Sequence, residues 1–99
     1  MAVIWSRRAR DDLAAIFRFI AADNRVAAET WVARLVEKAE SMQTMPLAGR
    51  IVPEFGRDDV RETFRRSYRI VYQVAGQNIR ILTVFEGHRL LRPSDIDDH

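Results

Sequence analysis

The sequence predicts an α+β fold: an N-terminal strand, a two-helix antiparallel hairpin, then a three- to four-stranded, mainly antiparallel sheet. Two patterns carry that prediction. Between residues 7 and 45, apolar side chains recur at helical spacing in two blocks separated by a four-residue break. Between residues 60 and 85 the pattern changes to strand-like runs with a period of two, broken at Arg66-Ser67 and again around Ala75-Gly76-Gln77-Asn78.

Each element follows from its own residues. Val3-Ile4-Trp5 forms a short first strand. Ser6 is suited to cap a helix over 7–22, because its hydroxyl accepts from an otherwise unpaired N–H of the first turn. Ala9, Leu13, Ile16, Phe17 and Ile20 make that helix's buried stripe, with Arg8, Arg10, Asp11 and Arg18 mostly towards water. Ala22 to Arg25 is the turn. A second helix over 26–45 presents Ala28, Trp31, Val32, Leu35, Ala39 and Met42. Neither helix can bury its stripe alone, so the hairpin must cover one face of the sheet. Pro46 and Gly49 end the helical region, and Arg50–Glu54 is a short edge strand, since Pro53 has no N–H for a central ladder. In Val60–Arg65 and Arg69–Val74 alternate residues face a core. Ile79 to Phe85 is apolar on both faces and belongs inside the sheet. Ile70, Tyr72, Ile81 and Phe85 are the expected buried residues.

Ninety-nine residues make one domain, assigned to 1–92, with 93–99 as an acidic, aperiodic and mobile tail. A hydrophobic fraction of 47% with 30% charge is that of a folded globular domain, not a disordered chain. There is no cysteine, hence no disulfide framework, thiolate metal site or thiol nucleophile. No signal peptide and no apolar run of membrane-spanning length occurs, so the expected location is the cytoplasm. His88 and His99 stand apart with no metal-binding spacing, and no nucleophile elbow, phosphate loop or dinucleotide motif is present. No metal or cofactor is expected. Asp11-Asp12 and Asp58-Asp59 are adjacent pairs whose side chains diverge, so neither reads as an acid–base dyad.

The charge is unevenly placed. The net charge is +2, but without Asp95, Asp97 and Asp98 the 16 basic residues face 11 acids, a balance of +5. Coding bias can produce fifteen arginines to one lysine. It does not explain why seven arginines fall between Arg61 and Arg92 against two acids, Glu62 and Glu86. Guanidinium groups on a rigid sheet are planar donor forks for phosphates or carboxylates. If the final strands are neighbours, Arg61, Arg69 and Arg89, with Arg65, can converge on an acidic partner.

Several motifs occur in order: A-x-x-D-L-x-x-I-x-x-x-I from Ala9 to Ile20, P-L-A-G-R from Pro46 to Arg50, R-E-T-F from Arg61, S-Y-R-I-V-Y from Ser67 to Tyr72, and I-R-I-L-T-V-F-x-x-x-R ending at Arg89. Together they resemble the ParE branch of the RelE/ParE toxin family over roughly residues 2–92. The resemblance implies a toxin of a type II toxin–antitoxin pair that inhibits DNA gyrase. It implies a ParD-like antitoxin as partner, through which operator DNA is met only indirectly. Arg61, Arg65, Arg69, His88, Arg89, Leu90, Leu91 and Arg92 are then the target-binding residues. A groove beside the hairpin receives the antitoxin, with Trp31 and Leu35 as its anchors provided they are incompletely covered.

The alternative is a ribosome-dependent mRNA endonuclease of the RelE kind, in which Arg61, Arg69 and Arg89 stabilise the phosphate transition state. That branch commonly places a tyrosine near the C-terminus for proton transfer. Here only Ser94 lies in about that place, and a serine hydroxyl is a far poorer proton donor than a phenol. An inactive member acting only as an antitoxin-bound co-repressor is a third reading.

Overall fold

Ser6 fixes the first corner of the chain in the computed structural model, which describes residues 2–87 and 90–96. Its hydroxyl accepts from the Ala9 N–H at 3.0 Å and donates to the Leu82 carbonyl at 3.0 Å, while its backbone N–H donates to Ile81. One residue thus caps helix α1 (Arg7–Ala21) and ties strand β1 (Ala2–Trp5) to the sheet. Helix α2 (Arg25–Glu40) is capped in the same way by Asn24, whose side chain accepts from Ala27 at 3.0 Å.

The second helix stops earlier than its apolar pattern predicts. After Glu40 the chain tightens into a 3₁₀ turn, Ser41–Gln43. The Ser41 hydroxyl donates back to the Lys38 carbonyl at 2.6 Å, and that of Thr44 to Ser41 at 2.9 Å. Such local bonds compete with the helical ladder, so the helix ends before Pro46 is reached.

Strands β2 (Arg50–Ile51), β3 (Val60–Arg65), β4 (Tyr68–Ala75) and β5 (Asn78–Glu86) join β1 in one sheet of order β1-β5-β4-β3-β2. All pairs are antiparallel except β1 with β5, which is parallel because the helical hairpin carries the chain across. The sheet therefore has five strands, one of them N-terminal. β4 is its middle strand and β5 lies inside it. The apolar run of β5 contains a bulge opposite Val71/Tyr72 that the sequence pattern does not reveal.

Two cores result. Ala9, Leu35, Ala39, Ile70, Tyr72, Ile79 and Ile81 form the one between the hairpin and the sheet, and Trp5, Trp31 and Tyr68 pack partly buried against it. Val52, Val60, Val71, Leu82 and Leu91 form a second core on the opposite face, with Phe55, Phe85 and Ile96 at its margin. Ile70, Tyr72 and Ile81 are buried as expected, whereas Phe85 is only half-buried.

Residues 93–96 correct the expectation of an aperiodic tail. Pro93–Asp95 is a 3₁₀ turn, and Asp95 is 1% exposed. Its carboxylate accepts from Arg8 at 2.8 Å and from the Arg92 N–H at 2.8 Å. Arg8 is accordingly half-buried rather than a solvent-facing residue of α1. Residues 97–99 lie outside the described residues.

Candidate functional site

The turn from β3 to β4 consists of Arg66 and Ser67. Arg66 has φ +56°, the left-handed region that side chains other than those of glycine and asparagine rarely enter. The turn is fastened to the end of β5: the Ser67 hydroxyl donates to Glu86 at 2.9 Å, and the Gly87 N–H donates to the Ser67 carbonyl at 3.1 Å. Beside it the Trp31 and Tyr68 rings meet at 5.6 Å between centroids, tilted by 58°. The Arg65 guanidinium lies 5.8 Å from the Trp31 ring centre, within cation–π range.

An open groove of about 610 Å³ runs along this contact. Ile20, Ala27, Trp31 and Tyr68 supply its apolar wall, and Arg34, Arg66 and Glu86 its charged groups. Arg34 and Arg66 also line a second groove of about 260 Å³ that adds Lys38, Arg65 and Glu37, so the two are continuous. A third groove of about 370 Å³ lies on the other side of Tyr68, between Ile16 and Phe19 of α1 and Val84 and Phe85 of β5. Phe19, 79% exposed, and the exposed Val26 stand near the hairpin turn. Burial and the nearby Glu86 push the Tyr68 phenol above its ordinary value, with Trp31 acting against them. Burial likewise pushes up Tyr72, whose hydroxyl donates to the Pro46 carbonyl at 2.7 Å and accepts from Gly49 at 3.0 Å.

Among the described residues the expected arginine cluster does not form. Cross-strand partners share a face, and the register pairs Arg61 with Tyr72 but Arg69 with Phe64. Arg61 and Arg69 therefore leave the sheet on opposite sides. The Arg61 guanidinium is tied to the backbone, donating to the Asp58, Leu47 and Gly49 carbonyls at 2.9, 3.3 and 3.0 Å. Arg69 is 5% exposed, paired with the buried Glu62 and, at 3.0 Å, with Glu54. Burial works against its charge, and these two carboxylates more than offset it. Arg50 completes the chain of charges on Glu62. The Arg69 guanidinium also draws the Glu54 carboxyl down to about 2, with help from the Leu91 N–H that donates to it at 2.9 Å. This network holds the second core and the C-terminal segment together, which is a structural task.

The other proposed site residues divide. Trp31 is partly exposed and lines a groove, but Leu35 is fully buried in the first core and offers a partner nothing. Its i, i+4 spacing from Trp31 signals a shared helix face but not which end of that face the sheet covers. Leu91 is likewise buried, while Leu90, 78% exposed, and Arg92 face water on either side of it. His88 and Arg89 lie outside the described residues. Tyr68, Arg34, Arg66 and Phe19 line the grooves without having been singled out. Phe19 had a signal, since it is a large apolar residue off the stripe assigned to α1. Among the described residues no cluster of three or more potential metal ligands occurs, and no helix is long and apolar enough to cross a membrane.

Comparison with known proteins agrees with this architecture. A family described as the ParE toxin of type II toxin-antitoxin system, parDE, matches residues 3–91. A solved structure described as "Chromosomal ParDE TA system from P. aeruginosa" superposes with a TM-score of 0.73. It is 26% identical, over 89% of this chain and 97% of that one. No curated protein matches the sequence. With the family match spanning nearly its whole length and the fold in agreement, the chain belongs to the ParE toxin family of type II toxin–antitoxin systems.

Proposed function

We propose that this toxin acts by binding, as an inhibitor of DNA gyrase, and that a ParD-like antitoxin neutralises it by laying an amphipathic segment into the groove at Trp31 and Tyr68. The observation that carries the binding reading is the separation of Arg61 from Arg69 across the sheet, each already occupied. Transition-state stabilisation of a phosphate needs preorganised donors aimed at one point. Two guanidiniums on opposite faces cannot supply that together. A Ser94 hydroxyl where the nuclease branch carries a phenol points the same way. On this reading the protein needs no cofactor and meets operator DNA only through its antitoxin. Leu90 and Arg92, held outward by the buried Leu91 and Asp95, are target-facing residues.

The antitoxin site rests on an open, partly apolar groove with an aromatic pair in its wall, a shape that receives the apolar face of a helix. Co-expression with the product of the adjoining reading frame tests it. A stable complex that relieves the growth defect, and that Trp31→Ala weakens, is the expected result. A neighbour that neither binds nor protects would remove the antitoxin assignment for this pair.

A further inference from the structure

Arg66 occupies a position for which arginine is a poor conformational choice. It is the first residue of a two-residue strand connection at φ +56°, where glycine is usual. Arg66 nevertheless lines both the apolar groove at Trp31 and the basic groove beyond. Among the described residues no hydrogen bond or ion pair engages the Arg66, Arg34 or Lys38 side chain, whereas Arg8, Arg50, Arg57 and Arg69 all have carboxylate partners. The basic groove sets four cations, Arg34, Lys38, Arg65 and Arg66, against one acid, Glu37. The joined grooves thus form a surface with an apolar end and a positive end, and Arg66 belongs to both.

We infer that Arg66 is a specificity-determining residue, kept at a conformational cost so that its guanidinium receives a carboxylate of the partner segment. This rests on the antitoxin reading given above and adds the polarity of the segment: apolar anchors at Trp31 and Tyr68, acidic residues over Arg34, Arg65 and Arg66. An acidic peptide suits the site better than a nucleic acid. The floor of the first groove is apolar, and Glu86 at one end and Glu37 at the other repel a continuous phosphate chain.

The test is calorimetric titration of the full chain with the product of the adjoining reading frame, at low and at high salt, for the wild type, Arg66→Gly and Arg66→Asn. A short single-stranded RNA serves as a second titrant. Both replacements tolerate the left-handed region, so melting temperatures are expected to be no lower than that of the wild type. Loss of one charge-assisted pair should weaken binding roughly tenfold and reduce its salt dependence. Binding by both variants as tight as the wild type's would overturn the inference and leave the antitoxin reading standing. A wild type that ignores the neighbour's product would overturn both. RNA binding that depends on Arg66 would overturn the inference by giving the basic groove to phosphate.

Discussion

The Arg69 guanidinium on β4 pairs with the Glu62 carboxylate on β3, and both are sealed from water on the face opposite the helices. A residue that sequence motif would assign to a phosphate is thereby committed to the core. Removing Arg69 leaves the buried Glu62 with only the exposed Arg50 as an ion-pair partner, and breaking one side of a buried pair typically costs about 3–5 kcal/mol. Arg69→Ala is expected to lower stability by that order in denaturant unfolding, and Arg69→Lys by less. A variant of unchanged stability would show that Arg69 is dispensable to the fold.

Glu54 gives the network a pH signature. Its folded pKa of about 2 lies below the ordinary 4.5, so its contribution to stability is fully present above about 4.5 and is lost as pH falls towards 2. Melting temperatures of the wild type should drop through that window more steeply than those of Glu54→Gln. Parallel acid profiles would contradict the assignment.

Gly49 and Tyr72 are matched by geometry. A Cβ on Gly49 would meet the Tyr72 side chain and stand 2.7 Å from the Glu62 carbonyl oxygen. Overpacking of this kind costs about 1–3 kcal/mol, so Gly49→Ala should be destabilising by that order. Tyr72→Phe should cost a similar amount, about 1–3 kcal/mol, by leaving the Gly49 N–H and the Pro46 carbonyl unpaired. Thermal unfolding of both variants checks this, and neutral effects would refute it.

Leu90 and Arg92 separate folding from function. Both are exposed, so Leu90→Ala and Arg92→Ala should change stability by less than about 0.5 kcal/mol. They are expected to keep antitoxin binding yet lose toxicity on expression without antitoxin. Retained toxicity in the double variant would move the target surface elsewhere.

Periodicity made the elements legible. The stripes of α1 and α2, the Ser6 cap and the edge position of the strand at Arg50 all follow from local chemistry. The second core did not, because it depends on segments that have no period. Residues 52–59 and 90–96 cover a face on which Val60, Glu62, Arg69 and Val71 would otherwise meet solvent. A polar residue alternating with apolar ones reads as exposed only if one face is wet, and here both are covered. The same omission made Asp95 look like part of a solvated tail, whereas Arg61 and Arg69 looked convergent because the register across the Arg66-Ser67 turn, which sends them to opposite faces, is not set by the apolar pattern. For the groove, Trp31 was legible as a large apolar residue on a helix face, whereas Arg34 and Arg66 enter it only through the packing of α2 against the β3–β4 turn.

The most direct test of inhibition by binding is expression of the wild-type chain without its antitoxin, with gyrase-linked DNA breaks and ribosome-bound mRNA measured in the same cells. The account predicts accumulated gyrase–DNA breaks with the mRNA intact. Codon-positioned mRNA cleavage without DNA damage would contradict it.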